Sequence, residues 1–270
     1  MKVTFIGGGN MASAMIGGLV KQGWSPDAIR VVDVLKAARQ ALERDLKVRT
    51  YAQVDAEASQ VECIVLAVKP QQMREAARAL KAHLSKQLLV TIAAGIRLDD
   101  LARWLGGYRR IVRAMPNTPA LARAGVSGLY APAAVAAAER AAAEKILGAV
   151  GSTVWFEREE DLDAVTAVSG SGPAYVFYFI EALERAGVEL GLPAAAARKL
   201  ALETFAGAVK LAAGSGEPPA RLRERVTSKG GTTERALGSL EAAGVADAIV
   251  RAVRAAAERS RELGEELGRD

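Results

Sequence analysis

The 270-residue chain holds one cysteine and one histidine, and aromatic residues make up 5% of it. Each scarcity excludes a class of chemistry. Cys63 has no second thiol to pair with, and one cysteine with one histidine cannot build a zinc cluster. A reducing compartment is therefore expected, and any metal site would have to be all carboxylate. His83 lies in the polar stretch AHLSK, where a solvated side chain is expected, so Ser-His or Cys-His catalysis has almost nothing to draw on. A catalyst of this composition takes its reactive group from a cofactor.

Long apolar runs are also missing. None approaches the roughly 20 residues of a membrane helix. The chain opens on the strand-like MKVTFIG instead of a signal peptide, so a cytoplasmic location is expected. Thirty-six Lys and Arg against 31 Asp and Glu leave a net charge of +5, compatible with an anionic small ligand and weak support for nucleic acid. Arg109, Arg110 and Arg113 alternate with Ile111 and Val112, a pattern that predicts a solvated strand end and no phosphate track. Neither a nucleic-acid nor a membrane partner is expected.

What is present divides the chain in two, as about 150 residues per domain would suggest. Short apolar runs bounded by charge, Gly or Pro alternate with helical spacing, the signature of parallel strands joined by helices. The predicted strands are Val3 to Gly7, Ile29 to Asp33, Cys63 to Val68, Leu88 to Ala94, Arg110 to Met115, Gly125 to Tyr130 and Ser152 to Phe156. Strands then stop. The expected domains are 1–156, an α/β parallel-sheet unit, and 157–270, an all-helical unit. In the second, Ser171 and Pro173 predict a helix start as N-cap and N1, followed by an apolar face at Val176, Phe179, Ile180 and Leu183. Helices this rich in alanine bury little apolar area per residue, so their core is expected to be completed by a second subunit.

FIGGGNMA sits between the first strand and the first helix and places Gly7, Gly9 and Ala12 as G-x-G-x-x-A. The first glycine makes the turn, the second admits a pyrophosphate, and the small third residue packs helix on strand. Because strand, motif and helix coincide, a Rossmann-like dinucleotide site is predicted, with Ile6, Gly7, Gly8, Gly9, Asn10, Met11 and Ala12 as contacts. Asp33, ending the second strand, suits the ribose hydroxyls of NADH. Lys36 and Arg39 follow and suit the 2′-phosphate of NADPH. The bland alternative is that Asp33 caps a helix whose wet face carries both cations. The cofactor is read as NADPH or NADH.

In the segment VTSKGGTT, two glycines and two threonines precede a helical pattern. The amides of Thr232 and Thr233 are expected to point outward at a helix start, suited to a carboxylate. The alternative is that Ser228 or Thr232 caps the helix with no ligand.

In this order and spacing, LAVKPQ, RAMPNTPA, SGSGPAY and VTSKGGTT resemble the Δ1-pyrroline-5-carboxylate reductases, the last enzymes of proline biosynthesis. The likeness runs nearly the whole chain, and Leu222 to Glu241 resembles the family's diagnostic motif. It implies an N-terminal Rossmann domain and an all-helical dimerisation domain like the C-terminal domain of 6-phosphogluconate dehydrogenase, in a homodimer or higher homo-oligomer. It further implies that Ala67, Val68, Lys69 and Pro70 line the nicotinamide side of the cofactor. Ala93, Ala94 and Gly95 would lie opposite, with Asn117 near the carboxamide. By the same resemblance, Ser228, Gly230, Gly231, Thr232 and Thr233 hold the substrate carboxylate, the Thr233 hydroxyl approaches the ring nitrogen, and Glu160 stands near the substrate; a helix-start acidic cluster is its bland alternative. The implied reaction is hydride transfer to C5 of the cyclic imine, with Thr233 acting mainly by positioning.

Two rival readings stand beside it. A β-hydroxyacid-type dehydrogenase would share the plan but needs a lysine where Tyr175 and Val176 fall. A non-catalytic nucleotide sensor would have no use for an intact SKGGTT pocket.

Overall fold

A computed structural model describes residues 1–269 of the chain. It divides into two compact units, Met1–Ser171 with the chain from Ala256 onward, and Gly172–Ala255. The first unit is built on an eight-stranded sheet: β1 (Val3–Ile6), β2 (Ile29–Val32), β3 (Arg49–Tyr51), β4 (Cys63–Leu66), β5 (Leu88–Thr91), β6 (Ile111–Met115), β7 (Gly125–Tyr130) and β8 (Gly151–Trp155). The order is β3-β2-β1-β4-β5-β6-β7-β8. Its helices are α1 (Asn10–Lys21), α2 (Lys36–Leu46), α3 (Ala56–Ser59), α4 (Met73–Lys81), α5 (Leu98–Trp104), α6 (Ala137–Leu147) and α7 (Asp161–Val165).

The first six strands are parallel, and β1, β2, β4 and β5 are buried along their whole length. Helices on both faces require this, which is why these segments read as continuous apolar runs without alternation. Two core clusters follow, one around Phe5, Met15 and Val65, the other around Ile64, Met73 and Leu101. β7 turns antiparallel to β6, because the short Thr118–Ala122 turn between them leaves no room for a helical crossover. The chain order reverses between β1 and β4, so the carboxyl ends of those strands form the crevice where such sheets bind ligands.

Four local expectations are corrected. β3 was not predicted: it is three residues long and only partly buried, with too little apolar pattern to announce itself. The Arg109–Arg113 stretch is not simply a solvated strand end, because Arg113 is 2% exposed and pairs with Glu159 at 2.7 Å. Nor is Ser171 an N-cap. It has helical dihedrals, φ −85° and ψ −20°, and its amide bonds the Thr166 carbonyl at 2.8 Å, closing a π-helical turn over Thr166–Gly170. His83 is half-buried, less solvated than its polar surroundings suggested.

The second unit holds α8 (Gly172–Glu189), α9 (Ala194–Ser215), α10 (Pro219–Arg225), α11 (Thr232–Ala242) and the start of α12 (Val245–Gly268). Among its described residues only Ala197 and Ala201 are buried. Phe177, Tyr178, Leu200, Val209, Leu211 and Val250 are exposed. A unit of this size with two buried alanines has no core of its own.

Candidate active site

The glycine loop behaves as its sequence predicts. Gly7 takes φ +100°, and a Cβ there would lie 2.7 Å from the Ala67 carbonyl oxygen, so the turn after β1 and the turn after β4 touch backbone to backbone. Only glycine permits both the dihedral and the approach. Gly9 is the N-cap of α1, and among the described residues no side chain caps that helix or lies near the position of a Gly9 Cβ. The first amides of α1, from Asn10 and Met11, thus have no intrahelical or side-chain acceptor at the positive end of the helix dipole. Ala12 is 1% exposed and packs the helix on the sheet. This is a cradle of the shape and polarity a pyrophosphate takes, so the residues present fit a dinucleotide.

The carboxyl edge gathers the other expected cofactor residues. Ile6 pairs with Val32 on one side and Leu66 on the other, and Leu66 with Thr91. The turns that follow, Gly7–Gly9, Asp33, Ala67–Pro70 and Ala93–Gly95, are therefore level along one rim. Asp33 does not cap α2: its Oδ2 accepts from the Gly8 amide at 2.7 Å and its Oδ1 from the Leu35 amide at 2.8 Å. Arg39 folds back, donating to the carbonyls of Asp33 at 2.7 Å and Val34 at 3.1 Å. Lys36 is exposed at the first position of α2.

Asn117, just past β6, is buried and occupied within the chain. Its Nδ2 donates to the Ser169 hydroxyl at 3.2 Å and carbonyl at 3.3 Å, and its Oδ1 accepts from the Val126 amide at 2.9 Å. It thereby fastens the π turn, where an α-helical hydrogen bond is given up, to the start of β7. Such turns recur at functional sites.

Of the acidic run, Glu160 is exposed at the start of α7, while its neighbour Glu159 does the binding. Glu159 Oε1 accepts from Arg113 at 2.7 Å and from the Leu98 amide at 2.8 Å. Burial pushes the Arg113 guanidinium below its usual range, and the Glu159 charge pulls it back. Residue spacing alone did not separate these two glutamates; the apolar strand around Arg113, which needs a buried counter-charge, was the available signal.

In the second unit, α11 starts with Gly231 as N-cap, and among the described residues neither Ser228 nor Thr232 caps it. The Gly230 amide donates to Glu234 Oε2 at 2.6 Å and the Gly231 amide to the Ser228 carbonyl at 3.0 Å. These bonds shape the loop and leave the Thr232 and Thr233 amides, the first two of the helix, without intrahelical acceptors. Thr232 is exposed and Thr233 half-buried.

Comparison with known proteins agrees with both units. Residues 159–263 match the family described as pyrroline-5-carboxylate reductase dimerisation, and residues 2–95 match that of coenzyme F420-dependent NADP oxidoreductases. The pyrroline-5-carboxylate reductase of Pseudomonas aeruginosa is 45% identical over 268 residues, covering 99% of this chain and 98% of that one. This chain belongs to the pyrroline-5-carboxylate reductase family. The solved pyrroline-5-carboxylate reductase of Coxiella burnetii is 38% identical and superimposes with a TM-score of 0.92, over 97% of this chain and 98% of that one. The pyrroline carboxylate reductase of Plasmodium falciparum, solved with NADP bound, is 30% identical with a TM-score of 0.86 and 98% coverage of both chains. Nearly the whole chain thus shares its fold with reductases of the family, and its helical C-terminal region matches the family's dimerisation domain. Among the described residues, no helix is long and apolar enough to cross a membrane.

Proposed function

We infer that this chain catalyses the NAD(P)H-dependent reduction of Δ1-pyrroline-5-carboxylate to L-proline. The observation that carries the inference is the pairing of an open, uncapped helix start at the glycine loop with a second uncapped helix start at Gly231, in a chain 45% identical to a reductase of that name. The first fits a pyrophosphate and the second a small carboxylate.

When bound, the reduced nicotinamide would supply a hydride for C5 of the imine. The chain supplies placement. Asn10 and Met11 amides hold the pyrophosphate, Asp33 the adenosine ribose, and Ala67–Pro70 and Ala93–Gly95 line the nicotinamide. Asn117 borders the same rim. Ser228, Gly230, Gly231, Thr232 and Thr233 take the substrate carboxylate, and the Thr233 hydroxyl is directed to the ring nitrogen, with Glu160 near the substrate. A protonated imine is already a strong electrophile, so orientation matters more than an acid of matched pKa. Holding the reacting carbons about 3–3.5 Å apart is where the acceleration arises. This accounts for a site with no catalytic histidine.

The domains are proposed as 1–156 for the nucleotide and 157–270 for substrate and dimerisation, in a cytoplasmic homodimer or larger homo-oligomer formed through the helical half. Its Gly172–Ala255 part lacks a core in a single chain, which supports a second copy as its partner.

The test is the fall in NAD(P)H absorbance when pyrroline-5-carboxylate is added to the pure protein, run with each nucleotide. Decay with stoichiometric L-proline is expected. No decay with either nucleotide would leave a nucleotide-binding protein without this activity.

A further inference from the structure

The loop Ile92–Arg97, which joins β5 to α5, is clamped from below by the end of the chain. Gly95 takes φ +73°, and a Cβ on it would lie 3.2 Å from Leu267 Cδ1 and 3.5 Å from Leu263 Cβ, both on the last turns of α12. From the other side, a Cβ on Gly264 would lie 3.2 Å from Arg97 Nε and 3.5 Å from the Gly95 carbonyl oxygen. Each glycine thus faces the other segment, and a side chain on either would press against it.

Charged groups lock this contact. Arg97 Nη2 donates to Asp163 Oδ2 at 2.5 Å, and Ser260 Oγ on α12 donates to Asp163 Oδ1 at 2.8 Å. The adjacent Leu98 amide donates to Glu159, which also holds the buried Arg113. The residues that close the loop, Arg97 and Leu98, are therefore each fixed by a carboxylate from one short stretch, Glu159 to Asp163. The Asp163 side chain is 12% exposed. A carboxylate so buried is costly unless fully partnered, and both of its oxygens are used on the two segments that meet at Gly95. Packing alone would be served as well by apolar residues; a fixed dihedral and height for one loop is what the hydrogen-bonded set adds.

We propose that Asp163, with Arg97 and Ser260, is a positioning residue that holds Ala93–Gly95 at the height where the loop meets the nicotinamide half of the cofactor, using the end of α12 as the brace. The proposal rests on the reading of Ala93–Gly95 as cofactor-lining. It makes the last turns of α12 part of the nucleotide site. The adenosine half is served by other elements, the glycine loop and Asp33, which Asp163 does not touch.

That division supplies the test. Asp163→Asn and Ser260→Ala are titrated, in the absence of imine, with NADH or NADPH and separately with ADP-ribose, which has the adenosine and pyrophosphate but no nicotinamide. The expected result is a reduced-nucleotide Kd weakened about tenfold, with ADP-ribose within twofold of wild type. A role confined to stability would weaken both ligands together or neither, and either outcome overturns the proposal. Should Asp163→Asn fail to fold, Ser260→Ala, which removes a single hydroxyl, carries the same comparison. Wild-type protein that binds ADP-ribose and reduced nucleotide but does not reduce the imine would count against the proposed activity and leave the bracing test intact.

Discussion

Asp33 Oδ2 accepts a hydrogen bond from the Gly8 amide at 2.7 Å. One carboxylate thus joins the end of β2 to the middle of the glycine loop. Each oxygen retains a lone pair for a ribose hydroxyl, but its negative charge opposes a 2′-phosphate on that ribose. Lys36 and Arg39 pull the other way, and Arg39 is already bonded to two backbone carbonyls. Asp33→Ser is therefore expected to shift the ratio of NADH to NADPH dissociation constants toward NADPH by about tenfold, the effect of roughly 1.4 kcal/mol of charge repulsion near a protein surface. Titration of both nucleotides by fluorescence measures it. An unchanged ratio would assign the choice to Lys36 and Arg39.

Most of the sheet was legible because buried parallel strands are uninterrupted apolar runs: Cys63–Leu66 and Leu88–Thr91 stand out against the charged helices between them. β3 was not, since an edge strand of Arg, Thr and Tyr carries no such run. The glycine loop was legible for the opposite reason, that backbone proximity leaves its mark as missing side chains. The π turn before α8 was hidden, because Ser-Gly-Ser-Gly-Pro has the residues of a capped helix start and only tertiary contact with Asn117 reveals the extra residue in the turn. The brace on Gly95 was equally hidden: its parts, Arg97, Asp163 and Ser260, lie far apart in sequence and carry no local signature.

Gly7→Ala tests the contact between the turns after β1 and β4. The substitution adds a methyl 2.7 Å from the Ala67 carbonyl oxygen at a residue with φ +100°. A non-glycine residue at such a dihedral costs about 1–3 kcal/mol before any clash. The expected outcome is a lower Tm together with a loss of nucleotide affinity, since the loop can relax only by moving off the rim. A variant with wild-type melting and binding would mean that the two turns separate freely.

Cys63 is fully buried at the head of β4, and burial pushes its thiol well above the ordinary value. The thiolate is the reactive form, so the folded protein should resist thiol reagents while the denatured chain reacts fully. The folded state holds the proton more tightly than the unfolded one. The stability that depends on the protonated thiol is therefore complete below the usual thiol range and declines as the pH rises through it. Labelling with a disulfide reagent, native against denatured, checks the first statement, and thermal melts across alkaline pH check the second. Rapid labelling of native protein would contradict the buried placement.

Thr233 separates positioning from binding. Its amide lies in the first turn of α11, and its hydroxyl is the group proposed to meet the ring nitrogen. Thr233→Val keeps the shape and the amide but removes the hydroxyl. kcat/KM should fall about tenfold or more, the loss of one hydrogen bond made in the transition state, while nucleotide affinity changes little. Steady-state kinetics with a parallel nucleotide titration distinguish the two effects. Unchanged turnover would remove Thr233 from the mechanism.

The helical half makes the strongest demand on a partner. Within Gly172–Ala255 the described residues include two buried side chains, Ala197 and Ala201, and along α9 Leu200 and Leu211 stand 56% and 71% exposed. Eleven residues apart, they lie on nearly the same side of the helix, three turns from one another. Leaving such a face in water forfeits about 1.5–3 kcal/mol per large side chain, more than a coreless unit can lose and stay ordered. A second copy that covers it restores a core. Wild-type protein is therefore expected to sediment at no less than twice the chain mass at micromolar concentration. The double substitution Leu200→Glu, Leu211→Glu should release monomers whose first unit still binds nucleotide while α8 to α11 lose helical signal. A monomeric wild type with full helicity would show that these helices hold themselves together without a partner.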